Sequence, residues 1–349
     1  MEINESWALI IKDTIDLISH HDFTKISEII LNTSSQPNSR PHIGTATTIL
    51  FNFALAKYFH EKTGVQTSVC FDQLENTPVK EINYKGETFY FYLDEGKAED
   101  ELDKNMQVYK RIFDIATQVS GIPYHIRSYK NFQNIPIVRE TVIHILKNFN
   151  EFNKYLKFEN ENFVLRTKCP QCGIVKKSVN NIRVCNEQLI INSSCFEHGD
   201  YKVEFSGSND TYISMGMQLR DLIKGVLCSE MLPEKLYIMC DSRDWGGEWN
   251  NIIHCMSKNL LKINHVTDRL FSPLVVDSMG RKISKTVYIN GGYSELEGKE
   301  IFLDFEKFLE VFGTQGIEKI YFEVERWAKI PKKMVRNYSI EYIEGLFFK

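Results

Sequence analysis

Apolar residues in this chain fall into short unbroken runs separated by longer stretches of helical periodicity. The run 26–34 is aliphatic and closes in small polar residues, which predicts a buried strand. Residues 66–71 predict a second strand ending at Asp72, 121–127 a third, 235–240 a fourth and 272–277 a fifth. Between the first two, 45–59 puts Ile49, Phe51, Phe53, Leu55, Ala56 and Phe59 mostly on one helical face. Helical periodicity returns over 104–119, 135–155, 214–226 and 249–261. Residues 1–25 predict a leading helix and 83–93 a hairpin. Strands alternating with helices predict an α/β, Rossmann-like, doubly wound parallel sheet. Such sheets bind ligands beyond the carboxyl ends of their strands, where Ser34, Ser35, Asp72 and Arg127 fall.

One segment breaks the alternation. Cys169-Pro170-Gln171-Cys172-Gly173 and Cys195-Phe196-Glu197-His198-Gly199 are two Cys-x-x-ligand-Gly turns flanking a β-rich stretch. Paired turns of this kind predict a zinc ribbon, with Cys169, Cys172, Cys195 and His198 as a tetrahedral set and Cys185 as the alternative fourth ligand. Four protein ligands leave no open position, so the expected zinc is structural. The division that follows is 1–155 for the first half of the core and 156–205 for the ribbon. The second half is 206–290, and 291–349 forms a short helical C-terminal extension.

Composition narrows the class. The 349 residues exceed one typical domain, and 43% hydrophobic with 25% charged content is ordinary for a globular protein. A net charge of −4 gives no global nucleic-acid signature. No apolar run is long enough to span a membrane, and the acidic N-terminus lacks the form of a signal peptide. Eight cysteines in that setting suggest thiols or metal rather than disulfides, and a cytoplasmic enzyme.

Two separated stretches carry the chemistry. Pro37-Asn38-Ser39-Arg40-Pro41-His42-Ile43-Gly44 lies between the first strand and the first core helix. A helix N-terminus offers unpaired N–H groups to phosphate, and Gly44 lets a nucleotide approach the backbone. His42 can donate to a phosphate oxygen as charge moves onto leaving pyrophosphate, and Thr45 is a first-turn or cap residue. Arg281-Lys282-Ile283-Ser284-Lys285-Thr286 follows the fifth strand and the turn 278–280. Its two lysines can clamp a triphosphate when such a loop closes. The catalytic candidates are therefore His42, Gly44, Lys282, Ser284 and Lys285. Pro37, Arg40, Ile43, Thr45, Gly247 and Ile283 are the ATP-contact candidates. For the amino acid they are Ser34, Ser35, Asp72 and Asp244, with Asp72 expected to pair with its ammonium group and Asp244 with a ribose hydroxyl or an ammonium.

In this order and separation, the two stretches resemble the signature motifs of class I aminoacyl-tRNA synthetases. The chain most resembles the class I lysyl-tRNA synthetases over residues 25–290. Pro37 and His42-Ile43-Gly44 match that family's Pro-x-x-x-x-His-Ile-Gly, and Asp72 to Pro78 loosely match its acidic loop. Ser242-Arg243-Asp244-Trp245 aligns with a Gly-Lys-Asp-His-type loop, and Lys282-Ile283-Ser284 with a Lys-Met-Ser-type loop. The resemblance implies a Rossmann-like fold, ATP with magnesium, an aminoacyl-adenylate of lysine or a similar basic amino acid, and transfer to the terminal ribose of a tRNA. Thr45 stands where that family has His or Asn, and Trp245 where it has His.

After Thr286, 63 residues remain, which predicts a helical cap over 302–311, 317–327 and 339–348 rather than a large anticodon-reading domain. Three functions follow: a compact synthetase charging tRNA through the acceptor stem, a paralogue passing the amino acid to a small amine or carrier, and an inactive nucleotide or tRNA binder. His42, Gly44, Lys282 and Lys285 argue against the third.

Overall fold

The computed structural model describes residues 11–94, 98–232, 234–248, 254–283 and 298–348. Strand β1 (Glu28–Ser35) leads into helix α1 (Ile43–Thr63), then β2 (Gln66–Gln73) and a hairpin of β3 (Pro78–Tyr84) and β4 (Glu87–Tyr92). Helix α2 (Ala98–Ser120) precedes β5 (Tyr124–Ser128). Three short helices follow: α3 (Tyr129–Gln133), α4 (Pro136–Lys147) and α5 (Phe149–Leu156). The cysteine-bearing segment holds β6 (Leu165–Arg166), β7 (Val175–Lys176), β8 (Asn181–Cys185), β9 (Gln188–Cys195), β10 (Gly199–Ser206) and β11 (Ser214–Met215). The chain then returns through α6 (Met217–Glu230), β12 (Lys235–Ser242), α7 (His254–Asn259), β13 (Asp268–Ser272) and β14 (Val275–Val276). Helix α8 (Phe305–Lys329) and strand β15 (Tyr338–Ser339) belong to the C-terminal part.

Five strands form one parallel sheet in the order β13-β12-β1-β2-β5. Counting only these strands along the chain, the order is that of a Rossmann-like doubly wound sheet, with its switch point between β1 and β12. Every strand therefore ends at the same edge, and the loops after β1 and β12 meet there.

Helix α1 differs from its predicted one-faced pattern. Residues 46–56 are buried without a break, because the sheet covers one side and α2 and α8 cover the other. A helix apolar all round is the pattern of a helix enclosed on every side. Gly64, at φ 71°, ends it by donating its N–H to the His60 carbonyl at 2.9 Å. Helix α6 lies over the sheet's other face, packing on β12, and a second hydrophobic core joins it to α3, α4, α5 and the ribbon strands.

Three other expectations change. Within 11–25 the only regular element is a 3₁₀ turn (Thr14–Leu17), closed by a capping box on Asp13. The fifth sheet strand is Asp268–Ser272, earlier than 272–277, because Pro273 has no N–H to continue the ladder. The predicted 302–311 and 317–327 helices join end to end as α8, interrupted at Gly313 (φ 58°, ψ −158°), a conformation open to glycine. Among the described residues, no helix is long and apolar enough to cross a membrane.

The C-terminal part is tied to the site-bearing loops. Phe305 donates its N–H to the Pro41 carbonyl at 2.9 Å, and Arg40 pairs with Glu306 at 2.6 Å. Trp327 stacks on Tyr338 (3.9 Å between centroids), and β15 pairs in parallel with β14.

Candidate active site

The β1–α1 loop sets the geometry from which the rest follows. His42 is the N-cap of α1, and its Nδ1 accepts the N–H of Gly44 at 3.1 Å. With Nδ1 accepting, the neutral ring carries its proton on Nε2, which lies 3.4 Å from the Thr45 hydroxyl. A Cβ at position 44 would stand 2.9 Å from His42 Cε1 and 3.1 Å from Nδ1. A side chain here would displace the His42 ring. The hydroxyls of Thr47 and Thr48 donate to the Gly44 carbonyl at 3.0 and 3.1 Å, and Thr48 also bonds Ser272 at 2.8 Å. These bonds pin the helix's first turn to the neighbouring strand end.

A cleft of about 490 Å³ opens at this edge. Of the residues expected at a site, it is lined by Ser34, Ser35, Arg40, His42, Gly44, Thr45, Lys282 and Ile283. Lys282 also forms an ion pair with Asp244. Ser284 and Lys285 lie outside the described residues. Pro37, Ile43, Asp72, Asp244 and Gly247 do not line the cleft. Ile43 is fully buried in the hydrophobic core, and Pro37 gives its carbonyl to Asn105 Nδ2 at 2.9 Å. Asp244 accepts from Ser242 Oγ at 2.6 Å as well as pairing with Lys282. At Gly247 a Cβ would meet nothing within 4 Å, so no close approach demands glycine there.

Asp72 is occupied from within. It takes Arg127 Nε at 2.7 Å and Nη2 at 3.1 Å, Lys224 Nζ at 3.0 Å and Asn32 Nδ2 at 3.1 Å. Burial alone would raise its pKa, but the charges of Lys224 and Arg127 outweigh burial and hold it well below the usual carboxylate range. The expectation that Asp72 pairs with a substrate ammonium is corrected on this ground: its oxygens already serve two cations and an amide. Asp241, at the switch point, is similarly engaged with Arg269 (3.1 Å), Thr33 and the Ser34 N–H (both 3.3 Å).

The cleft residues not expected at a site include Arg220 and Asp221, which lie on the first turns of α6. Neither has a motif around it. Lys224 did leave a signal, as a lone cation in the apolar run 222–227. A buried lysine in such a run implies a buried acid facing it.

Away from the cleft, Cys169, Cys172, Cys195 and His198 converge. The separations are 3.7 Å for Cys169–His198 and Cys195–His198, through Nδ1, and 3.5 Å for Cys172–Cys195. A zinc tetrahedron with bonds of about 2.1–2.3 Å has edges of roughly 3.5–3.8 Å, so the donor set fits. Burial works to raise the Cys169 pKa, yet N–H groups of Gln171 and Cys172 outweigh it and favour the thiolate. His198 joins the three cysteines, whereas Cys185 ends β8 outside the group.

No family model matches the chain, and no curated protein matches it. Among solved structures it is similar to a methionyl-tRNA synthetase from Mycobacterium tuberculosis in complex with methionyl-adenylate. That match has 11% identity and a TM-score of 0.43, covering 92% of this chain and 68% of that one. A structure from Campylobacter jejuni named as an arginyl-tRNA synthetase matches at 10% identity and TM-score 0.39, covering 90% of this chain. A glutamate-tRNA synthetase from Elizabethkingia anophelis matches at 10% and 0.32, covering 76%. The chain spans 65% of the Campylobacter structure and 54% of the Elizabethkingia one. At these values the likeness assigns no residue a role, and the chemistry rests on the geometry of the cleft.

Proposed function

We propose that the chain activates an amino acid with ATP as an aminoacyl-adenylate and transfers the acyl group to the 3′ end of a tRNA. One observation carries the proposal: a phosphate-seeking helix N-terminus, with the His42 Nε2 proton beside it, opens into the same cleft as Lys282 and the hydroxyls of Ser34 and Ser35. The amino-acid carboxylate attacks the α-phosphorus in line, the P–O bond to the β-phosphate breaks, and pyrophosphate leaves. No general base is required, because a carboxylate is ionised at neutral pH. The N–H groups of α1 and the His42 Nε2 proton stabilise charge building on the phosphates, and Lys282 turns from Asp244 to the triphosphate. Magnesium comes bound to ATP; among the described residues, neither side-chain group with metal-ligand spacing lines the cleft. Zinc at Cys169, Cys172, Cys195 and His198 would hold the ribbon and take no part in the reaction.

The expected preference for lysine or a similar basic amino acid rests on the family resemblance alone, since Asp72 is not available to a substrate cation. Amino-acid-dependent exchange of pyrophosphate into ATP, with and without total tRNA, tests the reading. Absence of exchange with every amino acid would overturn it, and exchange without acylation of any tRNA would move the acceptor to a small-molecule amine or carrier.

A further inference from the structure

We infer that the amino acid bound at this site carries an acidic side chain, whose carboxylate is held by Arg220, with Asp221 beside it to take the substrate ammonium. The inference rests on the proposed amino-acid activation and replaces its expected basic substrate.

Arg220 is a buried guanidinium, 8% exposed, that lines the cleft. Among the described residues its one charged partner is Asp221, with Nε 3.6 Å from the carboxylate, too far for an N–H···O bond. A guanidinium has five N–H donors in a fork shaped for a carboxylate. Arg220 therefore has donors to give to a ligand in the cleft.

Its surroundings set the sign of that ligand. Arg220 also bounds, with Arg127, Lys224 and Asp72, a crevice of about 10 Å³, too small for a substrate side chain, so the ligand would meet Arg220 from the cleft. There Arg127 and Lys224 share the carboxylate of Asp72, while Asp241, which also acts on Lys224, is held by Arg269. Glu75, the other acid nearby, is taken up by the N–H groups of Tyr129 (2.8 Å) and Lys130 (3.0 Å). With Asp221 given to the substrate's α-ammonium, a lysine side chain beside Arg220 would meet cations and no further open acid, whereas a carboxylate would pair with Arg220.

Position argues that this anion belongs to the amino acid rather than to the nucleotide. Arg127 ends β5 and Asp72 lies near the end of β2, on one side of the sheet edge. The Gly44 backbone beside His42 instead lies against Val275 in β14, and Lys282 bridges to Val276 in the same strand, so the candidate phosphate donors gather by β14.

The test uses the full chain. Pyrophosphate exchange is measured with L-aspartate, L-glutamate, L-lysine, L-ornithine and L-arginine, and calorimetry records binding of L-glutamate, L-aspartate and inorganic phosphate without ATP. Both are repeated on Arg220→Gln and Arg220→Lys after a thermal melt confirms folding. An acidic amino acid should support exchange at least ~10²-fold better than any basic one, and Arg220→Gln should raise its KM by ~10²-fold while KM for ATP stays within about twofold. Arg220→Lys should recover part of the loss. Preference for a basic amino acid, or an Arg220→Gln effect confined to ATP or phosphate, overturns the inference while leaving activation intact. No exchange, with Arg220-dependent binding of an acidic amino acid, overturns activation and leaves the inference standing. Neither exchange nor such binding overturns both. The wild-type selectivity decides the matter even if the variants do not fold.

Discussion

His42 Nδ1 accepts the backbone N–H of Gly44 at 3.1 Å, and the same ring occupies the space a Cβ at position 44 would need. The two residues therefore work as one unit. The histidine caps the helix, the glycine makes room for it, and Nε2 lies 3.4 Å from the Thr45 hydroxyl where both residues line the cleft.

Gly44→Ala should consequently separate activity from stability. Alanine is favoured over glycine inside a helix by up to ~1 kcal/mol, so the melting temperature should hold or move by only a few degrees. The displaced ring should nevertheless slow pyrophosphate exchange by ~10²-fold, similar to His42→Ala. A Gly44→Ala variant with full exchange activity would show that ring placement is immaterial.

The Asp72 cluster predicts a pH signature in stability. The folded pKa of Asp72 lies far below its unfolded value of about 3.9, so its contribution is complete above that value and is lost as pH falls toward the folded one. Lys224 has the opposite sign. Burial alone would lower its pKa, but Asp72 raises it, so its contribution is complete below about pH 10.4 and is lost as pH rises through the folded value. Asp72→Ala strands Arg127 and Lys224 in the interior and should cost about 3–5 kcal/mol in urea unfolding at pH 7. Its stability should also fall less steeply than wild type below about pH 4. Equal acid slopes in the two proteins would remove Asp72 as the source.

Zinc binding is testable apart from catalysis. Purified chain should carry about one zinc, falling to near zero in Cys169→Ser and Cys195→Ser and unchanged in Cys185→Ser, by metal emission spectroscopy. Chelation should open the β9–β10 hairpin to protease first, since Cys195 and His198 lie in the turn that joins its strands. Retained zinc in Cys195→Ser would point to a different ligand set.

Strand and helix order were legible because a buried parallel strand and its crossover helix each leave a strong local pattern, as 66–71 and 214–226 do. The motif at 37–44 was legible for the same reason, its chemistry and its turn being contiguous. What escaped was long-range. Asp72, Arg127 and Lys224 meet only after three elements pack, and nothing in 70–74 says that two cations will face the acid. The burial of α1 on both sides came from α8, some 250 residues later in the chain. Asp268–Ser272 reads as mixed polar and apolar, and only the proline after it marks where the ladder ends.

The ion pair between Lys282 and Asp244 yields the last prediction, because two roles for Asp244 give opposite signs. If Asp244 holds Lys282 before nucleotide binds, triphosphate must displace it, and the pair weakens ATP binding. Both side chains are partly exposed, at 43% and 30%, so the pair is worth about 0.2–1 kcal/mol after solvent screening. Asp244→Asn should then lower KM for ATP by roughly 1.4- to 5-fold, with Lys282→Ala slowing exchange by ~10²-fold in either background. If Asp244 instead binds the ribose or the substrate ammonium, the same substitution removes a ligand contact and KM must rise. The cleft favours the first outcome, since Asp244 does not line it and its described partners are Lys282 and Ser242. Steady-state exchange at varied ATP, and separately at varied amino acid, distinguishes the two: a rise in either KM returns Asp244 to the binding site.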